Sequence, residues 1–188
     1  MRSSWSPGRT GGADVDDPEV RIRRLDEIDE ERLDGLAAVL IDAIESGAGV
    51  SFLHPLAPEK AHGFWRGVAD DVAAGKRALL VAEDEHGVVG TVQLVLAQPE
   101  NQPHRADLSK MLVHRRGRRR GLGQRLLAAA EQTARDCGKT LLVLDTNTGS
   151  DAERLYERAG WIRVGEIPRF SVQPRGGLSP TTVFYRTL

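Results

Sequence analysis

Cysteine is nearly absent from this chain of 188 residues: Cys137 stands alone, so no disulfide can close within it, and a reducing cytoplasm suits it. No apolar run near the start could act as a signal peptide, and no stretch approaches the length of a membrane span. Surplus charge is missing too. With 26 Lys and Arg against 27 Asp and Glu, the net charge of −1 argues against a general binder of nucleic acid or of an anionic membrane. His54, His62, His86, His104 and His114 lack the spacing of metal ligands, and no metal is expected. No internal repeat is visible. What remains is a globular composition, 40% hydrophobic and 28% charged, at a length that supports one domain with a sizeable core.

Residues 1–18 are rich in Ser, Gly and Asp without periodicity and read as a disordered tail, leaving 19–188 as the folded domain. Alternation over 20–25 predicts a strand, and the apolar stripe Leu33, Leu36, Leu40, Ile44 predicts a helix over 30–45 that stops at Ser46-Gly47. An apolar loop at 50–56 leads to a second helix from Pro58 to about Gly75. Strands at 77–83 and 88–96 form a hairpin, and another strand is expected at 106–113. The nearly continuous apolar run at 140–145 predicts a strand buried on both faces and parallel to the one at 106–113. A short helix capped by Ser150 and strands near 161–168 and 181–186 complete a mixed α/β order, β-α-α-β-β-β-α-β-α-β-β.

Positive charge is concentrated in Arg115, Arg116, Arg118, Arg119 and Arg120, directly after a strand and ahead of Gly121-Leu122-Gly123 and a helix running to Cys137. The spacing of Leu122, Leu126, Ala130, Thr133 and Cys137 puts them on one buried face, which makes the thiol an inert core group. Strand, glycine-containing basic turn, helix is the layout of a phosphate cradle, because free N–H groups and the helix dipole meet there. Three readings compete. The P-loop fails, since Gln124-Arg125 follow where Lys and Ser or Thr are needed. The dinucleotide fingerprint fits Gly121 and Gly123, with Asp145 near the distance of a ribose carboxylate, but meets Leu126 at its third glycine. The third is Arg/Gln-x-x-Gly-x-Gly/Ala, met by Arg118-Arg119-Arg120-Gly121-Leu122-Gly123.

At these residues the sequence resembles the GNAT acyltransferases, and the segment from Ala152 through Leu155-Tyr156-Glu157 to Gly160-Trp161 resembles a second motif of that family. A narrower resemblance, carried by 47–52, Leu144-Asp145-Thr146, 165–168 and the ending from Ser179, is to tabtoxin-resistance-type acetyltransferases. Two departures stand out: Arg119 occupies a place usually held by glycine, and Gly149-Ser150 a place often held by asparagine. The resemblance implies the GNAT fold and acetyl-CoA as acyl donor, held by Arg118, Arg119, Arg120, Gly121, Leu122, Gly123 and Gln124 and by the main chain of Met111, Leu112 and Val113 where that strand splays from its neighbour. It also implies that Tyr156 assists the departing thiolate.

Asp107 and Asp145 are the carboxylates best placed to hold an acceptor ammonium and take its proton. Strict alternation would put Asp107 on the face of Ser109, Met111 and Val113, and Asp145 on that of Leu141 and Val143. Phe52 and His54 are candidates for the acceptor pocket, while Trp65 and Trp161 read as core. The expected activity is N-acetylation of a primary amine on a small, amino-acid-like toxin or antibiotic, by a cytoplasmic monomer or homodimer. Acetylation of a protein amine, a non-catalytic acyl-CoA sensor and a nucleic-acid module at 115–120 remain as alternatives.

Overall fold

The computed structural model describes residues 20–188, so the tail read at 1–18 lies outside the described residues. β1 (Arg21–Leu25) precedes α1 (Glu30–Glu45), where the Asp29 side chain caps the helix by accepting the Arg32 N–H at 2.8 Å. α1 buries Leu33, Leu36, Leu40 and Ile44 and ends at Ser46. α2 (Pro58–Ala73) starts on its proline. β2 (Arg77–Asp84) and β3 (Gly87–Val95) form the expected hairpin, its turn fixed by Asp84 Oδ1 accepting the His86 N–H at 2.9 Å.

β4 (Arg105–Val113), α3 (Leu122–Asp136), β5 (Leu141–Asn147), α4 (Asp151–Arg158), β6 (Ile162–Val172) and β7 (Leu178–Thr187) follow. The element order is the one the sequence predicts. A single turn of 3₁₀ helix at Arg115–Gly117 is an addition that periodicity did not signal.

One seven-stranded sheet runs in the order β1-β2-β3-β4-β5-β7-β6. All pairs are antiparallel except β4–β5, which is parallel as expected. That pairing is short: Arg105, Ala106 and Asp107 face Leu141, Leu142 and Val143, and nothing beyond them pairs. β5 keeps its ladder with β7 out to Asn147, while β4 runs on to Val113 with its edge toward β5 open. A wedge therefore opens in mid-sheet.

Strict alternation fails along β4. Gln93 pairs with Ser109 but Thr91 pairs with Leu112, so β4 carries one extra residue there, and Lys110 adopts a left-handed φ of 50°. A bulge inverts the facing of everything after it. Ala106, Leu108, Met111 and Val113 accordingly pack with the cluster under α3 and α4, whereas Leu112 joins the cluster under α1 and α2. Asp107 and Ser109 thus share the α1/α2 face, and the expected grouping of Asp107 with Met111 and Val113 is corrected.

Three further expectations change. In β5 only Leu142 and Leu144 are buried, against Phe184 and the α3/α4 layer; Leu141 and Val143 are half-buried and Asp145 is exposed, because the wedge uncovers that face. Asp145 does not close the strand, which continues to Asn147. Cys137 caps α3 half-buried, 3.6 Å from Arg24 Nη1, and Leu127 and Ala134 occupy the core face instead. Trp65 and Trp161 are core residues as read.

Candidate active site

The wedge continues into a cavity of about 1000 Å³ bounded by the end of α1, the end of β4, the basic turn and the starts of α3 and α4. Met111, Leu112, Val113, Arg118, Arg119, Gly121, Leu122, Gly123 and Gln124 all line it. Arg120 is half-buried and is not among the lining residues. At the α3 start Gly121 occupies the N-cap with φ 72°, supplies no side-chain cap, and no acidic residue follows in the first turn. The N–H groups of Leu122, Gly123 and Gln124 are left to the cavity, with the helix dipole behind them. The two glycines serve different ends. Gly121 is there for its backbone angle, whereas a β-carbon on Gly123 would lie 3.1 Å from Leu155 of α4. Arg119 takes φ 63°, so this turn has a left-handed arginine where glycine would sit without strain.

The arginines divide by task. Arg115 and Arg118 turn back onto Asp42, a carboxylate 5% exposed on the buried face of α1. Asp42 accepts the Arg115 backbone N–H at 2.9 Å and that residue's Nε, and it meets Arg118 Nη2 at 3.4 Å. Arg118 Nε also donates to the Val113 carbonyl at 3.0 Å. Arg116 Nη1 pairs with Asp84. These side chains fasten the turn to α1, β2 and β4; Arg119 is exposed at the cavity and, among the described residues, meets no carboxylate, which leaves its guanidinium to an anion. Sequence reasoning missed Asp42, although a carboxylate within the buried stripe of a helix calls for a cationic partner.

α4 borders the cavity through Ala152, Leu155 and Ala159 and turns Tyr156 inward, 4% exposed, against Trp161 at 5.7 Å and Phe184 at 6.0 Å between ring centroids. Among the described residues no hydrogen bond engages the Tyr156 hydroxyl. Burial, and then the charge of Asp145, push its pKa far above the ordinary phenol value, so the hydroxyl keeps its proton. The start of α4 is anchored by Ser150 capping Glu153 N–H at 3.1 Å, and by Glu153 accepting from Gly149 N–H and from Thr182 Oγ1 at 2.7 Å. Burial alone would raise the Glu153 carboxyl; those hydrogen bonds, with Arg163 and Arg154, hold it below its ordinary value.

The α1/α2 face of the wedge is polar. Asp145 is exposed and accepts from Thr181 Oγ1 at 2.9 Å. Asp107 is less free: Arg105 Nη1 lies 2.6 Å from Oδ1, and Gln98 Nε2 3.1 Å from Oδ2. Lys110, which sequence reasoning passed over, extends to Ser51 Oγ at 3.2 Å and to 5.7 Å from the centre of the Phe64 ring. Phe52 stacks edge-on to Phe64 at 5.3 Å. The His54 side chain is exposed, while its backbone N–H donates to the Pro174 carbonyl at 2.9 Å. With Arg175 Nη2 donating to the Glu45 carbonyl at 3.1 Å, this ties the β6–β7 turn to the α1–α2 loop.

Residues 35–161 match the model of the acetyltransferase (GNAT) family. The chain belongs to that family. An N-acetyltransferase of Azospirillum brasilense, from the hisH-hisA intergenic region, is 32% identical over 129 residues, covering 68% of this chain and 75% of that protein. The ribosomal-protein-alanine N-acetyltransferase of Brucella melitensis superposes with a TM-score of 0.74 at 25% identity, covering 89% of this chain and 99% of the other. The protein yncA of Salmonella typhimurium, solved with its cofactor acetyl-CoA, gives a TM-score of 0.74 at 20% identity, covering 90% and 94%.

This GNAT protein is an acyltransferase that uses acetyl-CoA as donor. The residues present suit that donor: the uncapped start of α3 fits a pyrophosphate, and the open edge of β4 leaves main-chain groups for amides. Among the described residues no cluster of three or more His, Cys, Asp or Glu is arranged to hold a metal ion, and no helix is long and apolar enough to cross a membrane.

Proposed function

We propose that this GNAT enzyme acetylates the primary amine of a small, amino-acid-like acceptor by direct attack, within a domain spanning about 19–188. Bound acetyl-CoA supplies an activated thioester. Around it, the N–H groups of Leu122, Gly123 and Gln124, together with Arg119, hold the pyrophosphate. The main chain of Met111, Leu112 and Val113 holds the pantetheine amides and lends one N–H to the thioester carbonyl, stabilising the oxyanion as charge develops. Asp145 holds the acceptor ammonium and accepts its proton, directly or through water, so that a neutral nitrogen attacks. As the new C–N bond forms and the C–S bond breaks, the Tyr156 hydroxyl donates a hydrogen bond to the sulfur. With its pKa raised it acts by hydrogen bonding, and the thiolate takes its proton from the acceptor nitrogen's side. Asp107, engaged by Arg105, orients the start of β4 and adds negative charge to the same face.

The observation that carries this reading is the wedge between β4 and β5, with the donor cavity at one side and an exposed carboxylate, Asp145, at the other. The tie between the β6–β7 turn and the α1–α2 loop narrows the acceptor end and favours a small molecule. A second reading, acetylation of a protein N-terminus, is favoured by the likeness to the Brucella ribosomal-protein-alanine enzyme.

Thiol release from acetyl-CoA, read alongside a mass gain of one acetyl group, across small amines and short peptides tests both. Turnover with amino-acid-like amines supports the first; turnover confined to peptides with free N-termini replaces it with the second. Asp145→Asn is expected to lower kcat/KM about ten- to a thousandfold with little change in acetyl-CoA affinity. A wild-type rate removes Asp145 from the role.

A further inference from the structure

Lys110 is a half-buried cation in the middle of the sheet. It sits on the bulge of β4 with φ 50°, a backbone conformation that disfavours side chains and persists where the surroundings fix it. Its ammonium is half-buried between the Ser51 hydroxyl and the Phe64 ring, and among the described residues no carboxylate lies within ion-pairing distance. On the neighbouring strand, the Oε1 of fully buried Gln93 accepts from Arg77 Nη1 at 2.7 Å, while among the described residues its Nε2 finds no partner. The register sets Gln93 opposite Ser109, one residue before Lys110, on the α1/α2 face. That face also carries Asp145. A buried amide donor without a partner is costly unless something completes it, and the half-buried ammonium, held by the Ser51 hydroxyl, has no counter-charge beside it.

We propose that Lys110, with Gln93 Nε2 beside it, is the anion-binding half of the acceptor site, taking the carboxylate of an acceptor whose amine faces Asp145. This rests on the small-amine reading above and specifies it: the acceptor is zwitterionic, and its two charges are read by two opposite charges on one face of the wedge. Burial first, then the positive charge of Arg77, draw the Lys110 pKa down, while Asp145 opposes them. An arriving carboxylate would pair with the ammonium and offset that shift.

The test pairs each L-amino acid with its carboxamide as acceptor for the wild type, Lys110→Met and Lys110→Arg, with folding checked by melting. The wild type is expected to prefer the carboxylate in kcat/KM by about ten- to a hundredfold, the range of one charge-assisted hydrogen bond. In Lys110→Met the ratio falls to near one, through KM rather than kcat, and Lys110→Arg keeps most of it. Equal use of acid and amide by the wild type, or an undiminished ratio in Lys110→Met, overturns the proposal. If no amine is acetylated, the small-amine reading fails by itself. Calorimetric titration of N-acetyl-L-amino acids with CoA present then judges the anion site: binding lost in Lys110→Met upholds it, and equal or absent binding ends it.

Discussion

The carboxylate of Asp42 accepts the backbone N–H of Arg115 at 2.9 Å, so the helix that opens the domain holds the turn that opens the donor cradle. Asp42→Ala leaves that N–H without its acceptor and takes one of two partners from each of the Arg115 and Arg118 guanidinium groups. The unsatisfied donor alone is expected to cost about 1–3 kcal/mol. Melting should show the loss, and calorimetry should show weaker acetyl-CoA binding. An unaltered acetyl-CoA affinity would mean the turn keeps its shape without α1.

Gly121 and Gly123 should respond differently to the same substitution. At Gly121 the demand is conformational, so Gly121→Asn, which tolerates a left-handed φ, is expected to retain most acetyl-CoA affinity where Gly121→Val does not. At Gly123 the demand is space against Leu155, so Asn and Val should both push α4 away and weaken binding. Titration calorimetry of the four variants decides it; equal behaviour of both Asn variants would contradict the division.

Arg119 holds φ 63°. Arg119→Gly is expected to stabilise the fold by about 1 kcal/mol through relief of that backbone angle. The same change should lower acetyl-CoA affinity and flatten its dependence on salt, since a cation facing the phosphates is gone. A rise in melting temperature with unchanged affinity would confine Arg119 to the turn's conformation.

Tyr156→Phe is expected to lower kcat by about ten- to a hundredfold, the worth of one hydrogen bond to a charged sulfur, with little effect on acetyl-CoA binding. Its pH behaviour follows from the sign of the shift. The folded pKa lies above the unfolded value of 10.0, so the stability linked to the neutral phenol is complete below pH 10.0 and is lost as pH rises beyond it toward the folded pKa. Thermal melts should show the wild type losing stability above that pH while the Phe variant does not share the loss. Parallel curves would mean the hydroxyl meets solvent in the folded protein.

The sequence carried the fold almost entirely, because the helices and strands follow hydrophobic periods that tertiary packing did not override. α1 and β2 begin at the residues their patterns predict. The cavity that the proposed donor residues line was legible for the same reason: strand, glycines and helix start are contiguous, so a local motif contains the geometry. The acceptor side was not. Gln93, Lys110 and Thr181 come from three separate strands, and only the sheet register brings them to one face. The bulge at Lys110 is invisible to alternation, which is why Met111 and Val113 were assigned to the face of Asp107. A lysine inside Leu108-Ser109-Lys110-Met111-Leu112-Val113 was the available hint.

The extra residue in β4 also bears on how such an enzyme can diverge. In a strand of unbroken alternation, a change of register at one end turns over the other. The bulge uncouples them, so the first part of β4 turns Asp107 and Ser109 to the α1/α2 face and the last part turns Met111 and Val113 to the α3/α4 face without a shared phase. On the roles proposed above, substitutions at Asp107, Ser109 and Lys110 would redraw acceptor choice while the main-chain groups of Met111–Val113, which any side chain can supply, stay in place. On those roles donor use would be inherited from the backbone, and acceptor use left open to drift.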